Sequence, residues 1–145
     1  MKKISKIIAV ALVLSMFVIP LNTQVACAST VSEKQAPIYD SRYVGVNTMS
    51  IRLETLSSIA KVDVKMDIRN GYYAEVDIHL VESENKFGWS ESNSWGTSLS
   101  GDDEVTKYLS IEDGMYYKVE VVADIYTSSG AFVETIKGTS QIEQA

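Results

Sequence analysis

Between Ala60 and Arg69 the chain alternates without a break. Ala60, Val62, Val64, Met66 and Ile68 are apolar, and Lys61, Asp63, Lys65, Asp67 and Arg69 are charged. A strand sends successive side chains to opposite faces, so this run has one dry face and one wet face only as a strand; a helix would spread the apolar residues around its circumference. The ten residues predict a half-buried β-strand. The wet face also alternates in sign, which favours solubility and does not itself imply a ligand.

The same period returns along the chain. Met49, Ile51 and Leu53 alternate with Ser50, Arg52 and Glu54; Ala74, Val76, Ile78 and Leu80 alternate with Glu75, Asp77 and His79. Tyr117, Val119, Val121, Ala123 and Ile125 share one parity, with Lys118, Glu120 and Asp124 on the other, and Ser128-Ser129-Gly130 then predicts a hairpin into Ala131–Ile136. Val105 to Ile111 reads as another strand, and the polar run Trp89 to Ser100 as a short edge strand or irregular ribbon. Turn signals separate these runs at Ser57-Ser58, Asn70-Gly71, Ser83 to Gly88, Gly101-Asp102-Asp103 and Glu112-Asp113-Gly114. Asn70-Gly71 fits either a two-residue hairpin or an arch to an opposing sheet. About seven strands with turns every 8 to 12 residues predict an all-β antiparallel sandwich over residues 43–145. A chain of 145 residues accommodates one such domain.

The first residues have a different character. Lys2, Lys3 and Lys6 precede an apolar run from Ile7 to Ile19, and Ala26-Cys27-Ala28 places small residues where a signal peptidase reads, at Ala26 and Ala28. This layout predicts a secretory signal over residues 1–28, cleaved after Ala28. The run is short of the roughly 20 residues a spanning helix needs. The alternative, a lipid anchor on Cys27, lacks the Leu usual in that signal: Gln24-Val25-Ala26 stands before it. Membrane attachment is thus expected only through the leader. Residues 29–42 are polar, contain Pro37 and show no period, and read as a flexible leader to the domain. The expected destination is extracellular, free or loosely associated with the cell wall.

Charge and cysteine narrow the function. Without residues 1–28, ten basic residues face nineteen acids, a net charge of about −9. Such a surface repels nucleic acid, which is not expected as a partner. The one cysteine, Cys27, lies in the leader, so the domain is expected to have neither a disulfide nor a thiol nucleophile.

Candidate chemistry is sparse. His79 is the sole histidine and falls on a wet strand face, and no serine sits in a nucleophile-elbow pattern. Asp77 and His79, with Glu120 and Asp124 on a strand that could neighbour them, have the residue types of a cation site, but a flat sheet face rarely converges ligands. Asp102-Asp103-Glu104 lacks the alternating oxygens of a calcium loop. Neither metal nor cofactor is expected. Acids suited to glycoside hydrolysis are numerous enough to pair by chance, with no long loop to wall a cleft. Trp89 and Trp95, with outward-parity Tyr73, Tyr116 and Tyr126, form the most informative set, since exposed aromatics stack on sugars or anchor protein partners. The bland alternative is that they pack in the core or shield strand edges.

Trp89 and Trp95, Gly101, the run Gly114-Met115-Tyr116-Tyr117-Lys118-Val119-Glu120-Val121, and Ser128-Ser129-Gly130 with Glu134-Thr135 together resemble small secreted immunoglobulin-like or fibronectin-III-like proteins of Gram-positive bacteria. The resemblance spans Met49 to Ser140. It implies a two-sheet sandwich and an extracellular life, and it transfers no catalytic residue. One departure concerns the tyrosine corner of such domains, in which a Tyr stands two residues before a buried position. Tyr116 has the expected spacing from the turn, yet Lys118 falls where the buried residue should be, while Tyr117 has the core parity. Either the turn is one residue longer or the corner hydrogen bond is absent. The expected function is a secreted, non-catalytic binding module for a protein or cell-surface partner. The alternative is a carbohydrate-binding module using Trp and Tyr, and behind it a small secreted hydrolase. The expected state is a monomer or, through an edge strand, a weak homodimer.

Overall fold

The computed structural model describes residues 43–145. The signal reading of residues 1–28, with Ala26, Cys27 and Ala28, and the leader reading of residues 29–42 lie outside them. The described chain is all-β and antiparallel. Its strands are β1 (Val46–Leu56), β2 (Ile59–Ile68), β3 (Tyr72–Ser83), β4 (Ser90–Leu99), β5 (Asp102–Ser110), β6 (Tyr116–Thr127), β7 (Phe132–Thr139) and the two-residue β8 (Glu143–Gln144). They form two sheets, a smaller one in the order β1-β2-β5 and a larger one in the order β4-β3-β6-β7, with β8 on the first residues of β6.

The alternating runs explain why two layers form. Met49, Ile51 and Leu53 of β1, Val62, Val64 and Met66 of β2, Val76, Ile78 and Leu80 of β3, and Val119, Val121, Ala123 and Ile125 of β6 are all buried in one shared core. Each strand must cover a single dry face, and two such sheets cover each other. Burying each of the larger aliphatic side chains contributes roughly 1.5–3 kcal/mol. No cysteine lies in the described residues, so packing and hydrogen bonds alone hold the sheets together.

Asn70-Gly71 is an arch. β2 and β3 lie in different sheets, and β3 pairs with β4 and β6 instead. Gly71 takes φ +90° and Tyr72 N–H donates to the Arg69 carbonyl across the turn at 3.2 Å, while Arg69 N–H donates to the Gly45 carbonyl at 2.9 Å and Ile68 N–H to the Gly101 carbonyl at 2.8 Å. Ser57-Ser58 does close a two-residue hairpin, with Leu56 opposite Ile59. The Ser128–Gly130 turn closes another, in which Thr127 N–H donates to the Ala131 carbonyl at 2.8 Å.

One boundary differs from the sequence reading, and one alternative is decided. Asp102 and Asp103 are not turn residues; they open β5 opposite Asp67 and Met66, and Lys65 Nζ holds Asp102 at 3.0 Å. The polar run from Ser90 is the edge strand of the two alternatives, ten residues long and paired along β3 with one bulge between Glu91 and Asn93.

The corner ambiguity resolves on Tyr117. Its ring is fully buried, two residues before the equally buried Val119, and its hydroxyl accepts the Glu112 N–H at 2.9 Å. The turn is therefore one residue longer than the Tyr116 spacing suggested. Burial, the largest influence, raises the Tyr117 pKa above its ordinary value.

Candidate binding surface

At one end, the outer face of the larger sheet carries two of the five candidate aromatics, Tyr73 and Tyr126, side by side, with Phe132 beside them. Register sets them there: Tyr73 on β3 lies opposite Tyr126 on β6, and Tyr126 lies opposite Phe132 on β7. The three rings form a row across the strands. Tyr73 and Tyr126 stack at 5.4 Å between centroids, and Phe132 meets Tyr126 edge-on at 5.8 Å. Such pairs contribute about 0.5–1.5 kcal/mol beyond area burial. Phe132 nevertheless stays 59% exposed. The next pair inward is Glu75 and Asp124, and Thr135 Oγ1 donates to Asp124 at 2.6 Å. Burial first, then the negative charges of Glu75 and Asp124, raise the pKa of Tyr126.

Tyr116 and Trp89 gather at the other end of this sheet. Lys118 Nζ sits 4.6 Å from the Trp89 ring centre and pairs with Glu120 at 2.7 Å; Lys86 Nζ sits 4.4 Å from the Tyr116 ring. The loop from Glu84 to Trp89 is shaped by side-chain acceptors. Ser83 Oγ takes the Lys86 N–H at 3.0 Å, and Asn85 Oδ1 takes the Phe87 N–H at 3.0 Å. That loop leaves Phe87 92% exposed.

Trp95 is placed differently. It lies opposite Ile78, an inward position, and packs against the inter-sheet core at the open flank of the sandwich. Lys107, inward on the edge strand β5, covers its ring at 4.5 Å. Trp95 Nε1 is buried without a hydrogen-bond partner. A ring in this position closes the flank and is not brought together with Tyr73, Tyr116, Tyr126 or Trp89.

Between the two aromatic groups, His79 Nδ1 lies 2.6 Å from Glu91 Oε2, and Ser94 Oγ donates to Glu91 Oε1 at 2.9 Å. The carboxylate stands between hydroxyl and imidazole, so the imidazole does not hold the serine proton as a general base must. The bonds from His79, then Ser94, lower the Glu91 pKa. Glu120 lies opposite His79 and Asp124 opposite Glu75, as neighbouring strands allow. Among the described residues, no three His, Asp or Glu side chains converge in a way that could hold a metal ion. Asp102 is engaged by Lys65, and Asp103 Oδ1 accepts the Glu104 N–H at 2.9 Å.

The chain matches no known family, no curated protein and no solved structure.

Phe132 and Phe87 escaped the sequence reading. Phe132 was legible in principle, since the hairpin through Ser128–Gly130 sets it beside Tyr126. Phe87 had a weaker signal, a lone large apolar residue within a polar turn.

Proposed function

We propose that the chain is exported and that residues 43–145 are an immunoglobulin-like, non-catalytic module that binds a protein partner through the outer face of its larger sheet. The row of Tyr73, Tyr126 and Phe132 carries this reading: it is a contiguous aromatic patch on a solvent-facing sheet, ending in a ring that stays mostly exposed. Aromatic anchors of this kind dominate interface energetics. The Tyr117 corner and the sheets β1-β2-β5 and β4-β3-β6-β7 support the immunoglobulin-like part. Placing β4 beside β3 departs from the antibody constant type, whose fourth strand joins the first, second and fifth, and suits the fibronectin-III resemblance better.

The test uses immobilised chain exposed to solubilised envelope proteins of the producing organism. A protein retained by the wild type should be released in the Tyr126→Ala and Phe132→Ala variants. It should be kept by Tyr108→Ala, which removes an exposed ring from the opposite sheet. Equal retention by all three variants refutes the assignment to this face.

A polysaccharide ligand is the second reading, favoured by Glu75, Asp124 and Thr135 beside the rings, where sugar hydroxyls find acceptors. Against it, Tyr73 and Tyr126 already spend one ring face on each other. It predicts retention on an immobilised polysaccharide that Tyr126→Ala abolishes and Trp89→Ala leaves unchanged.

A further inference from the structure

We propose that the free edge of β4 pairs antiparallel with β4 of a second copy, in a two-fold register centred on Gly96. A strand at a sheet edge presents unpaired N–H and C=O groups, and folded proteins guard such edges with charge, shortness, bulges or cover. The four edges of this sandwich differ in that respect. β5 carries Asp102, Asp103 and Glu104, and turns Lys107 inward. β1 is tied at both ends: Val44 and Gly45 N–H donate to Glu134 Oε1 at 2.8 and 3.0 Å, and Thr55 Oγ1 donates to the Gln144 carbonyl at 3.0 Å. β7 is the shortest of the four, bears Glu134 and Lys137, and is bulged against β6.

β4 has little of this protection. It is ten residues long, has no proline, and carries one charge, Glu91. Its sole bulge falls near that end, where Leu80 pairs with Asn93 and Val81 with Glu91. The remaining seven residues, Asn93 to Leu99, run in unbroken register against β3.

The partner follows from the symmetry of that stretch. Opposed residues must share a sheet face, so a self-pairing must match residues of like parity. Centring on Gly96, the midpoint of the regular stretch, uses all seven residues; any other centre shortens the ladder or drives it into the bulge. It sets Trp95 against Thr97 of the other copy on the inner face. It sets Ser94 against Ser98 on the outer face, where opposed hydroxyls bond favourably. No charge faces a like charge, because Glu91 falls opposite Gly101 beyond the ladder. The contact is isologous, so it closes at two copies and does not propagate. Seven residues per copy put it at the small end of specific interfaces, and the acidic chains repel. The dimer is therefore weak, and it tightens as salt screens that repulsion.

The full chain, with Cys27→Ser, is tested at high concentration by cross-linking under copper–phenanthroline oxidation. Ser94→Cys and Ser98→Cys each alone should give little disulfide dimer; mixed, they should give the mixed dimer several-fold more efficiently. Sedimentation should show a dimer fraction rising with salt and reduced in Ser98→Glu, which adds a like charge on the exposed outer face of the contact, with little change in melting temperature. A preference for like-with-like cross-links overturns the register. Monomeric sedimentation at every salt concentration, or cross-linking equal in all three samples, overturns the pairing itself.

Discussion

Tyr117→Phe tests the link between the corner and stability. The substitution keeps the buried ring and removes only the hydroxyl that accepts the Glu112 N–H at 2.9 Å. Glu112 is exposed, so its N–H returns to water and is not stranded. The expected loss is that of one ordinary hydrogen bond, about 1 kcal/mol. For a domain of this size that lowers the melting temperature by about 4–8 °C. Tyr117→Ala also removes the ring, and the corresponding loss is about 3–5 kcal/mol. Alkali adds a second signature. The folded pKa of Tyr117 lies above its unfolded value near 10, so above that pH the unfolded chain binds fewer protons. Its contribution is complete below the unfolded pKa and fades as pH rises through the folded one. The gap between wild type and Tyr117→Phe should therefore narrow from pH 8 to pH 11. Urea midpoints at constant slope measure both effects. Equal midpoints at pH 8, or a gap that widens with alkali, would refute the reasoning.

Three further substitutions have defined outcomes. Gly45→Ala would place a Cβ 2.5 Å from Ile125 Cγ2, a buried atom, so it should cost about 1–3 kcal/mol by urea denaturation; a neutral result would mean that β6 yields there. Ser140→Ala removes the hydroxyl that accepts the Val119 N–H at 2.8 Å inside the protein, and should cost about 1–3 kcal/mol with faster hydrogen exchange at Val119. Asp63→Ala strips Lys61 and Thr106 of a shared buried carboxylate. A loss of about 1 kcal/mol or more in calorimetry is expected, against little change for Asp67→Ala.

The fold was readable where one period ruled. The parity of Ala60–Arg69 and of Tyr117–Ile125 names the buried apolar residues of β2 and β6, because burial on one face leaves no second register. Asp63, of the other parity, is buried through Lys61 and Thr106, which parity does not show. Asn70-Gly71 was ambiguous since a glycine of positive φ serves arch and hairpin equally, and the choice depends on the partners of β3. β8 has two residues, too few to show a period. For the surface, parity placed Tyr73, Tyr116 and Tyr126 outward. It could not show that Trp95 closes the flank under Lys107, since that contact joins two sheets. The row through Phe132 required the pairing of three strands, a property of register that no local window holds.

The pairing of β3 with β6 has a consequence for a chain that emerges from its N-terminus. Tyr72 awaits Thr127, and Ser83 awaits Tyr116, so the central ladder of the larger sheet cannot close until most of the domain has been delivered. Until then β1–β2 and β3–β4 can exist only as local ribbons with bare apolar sides. That interval, rather than the finished sandwich, is when a holdase has most to shield and a protease most to cut.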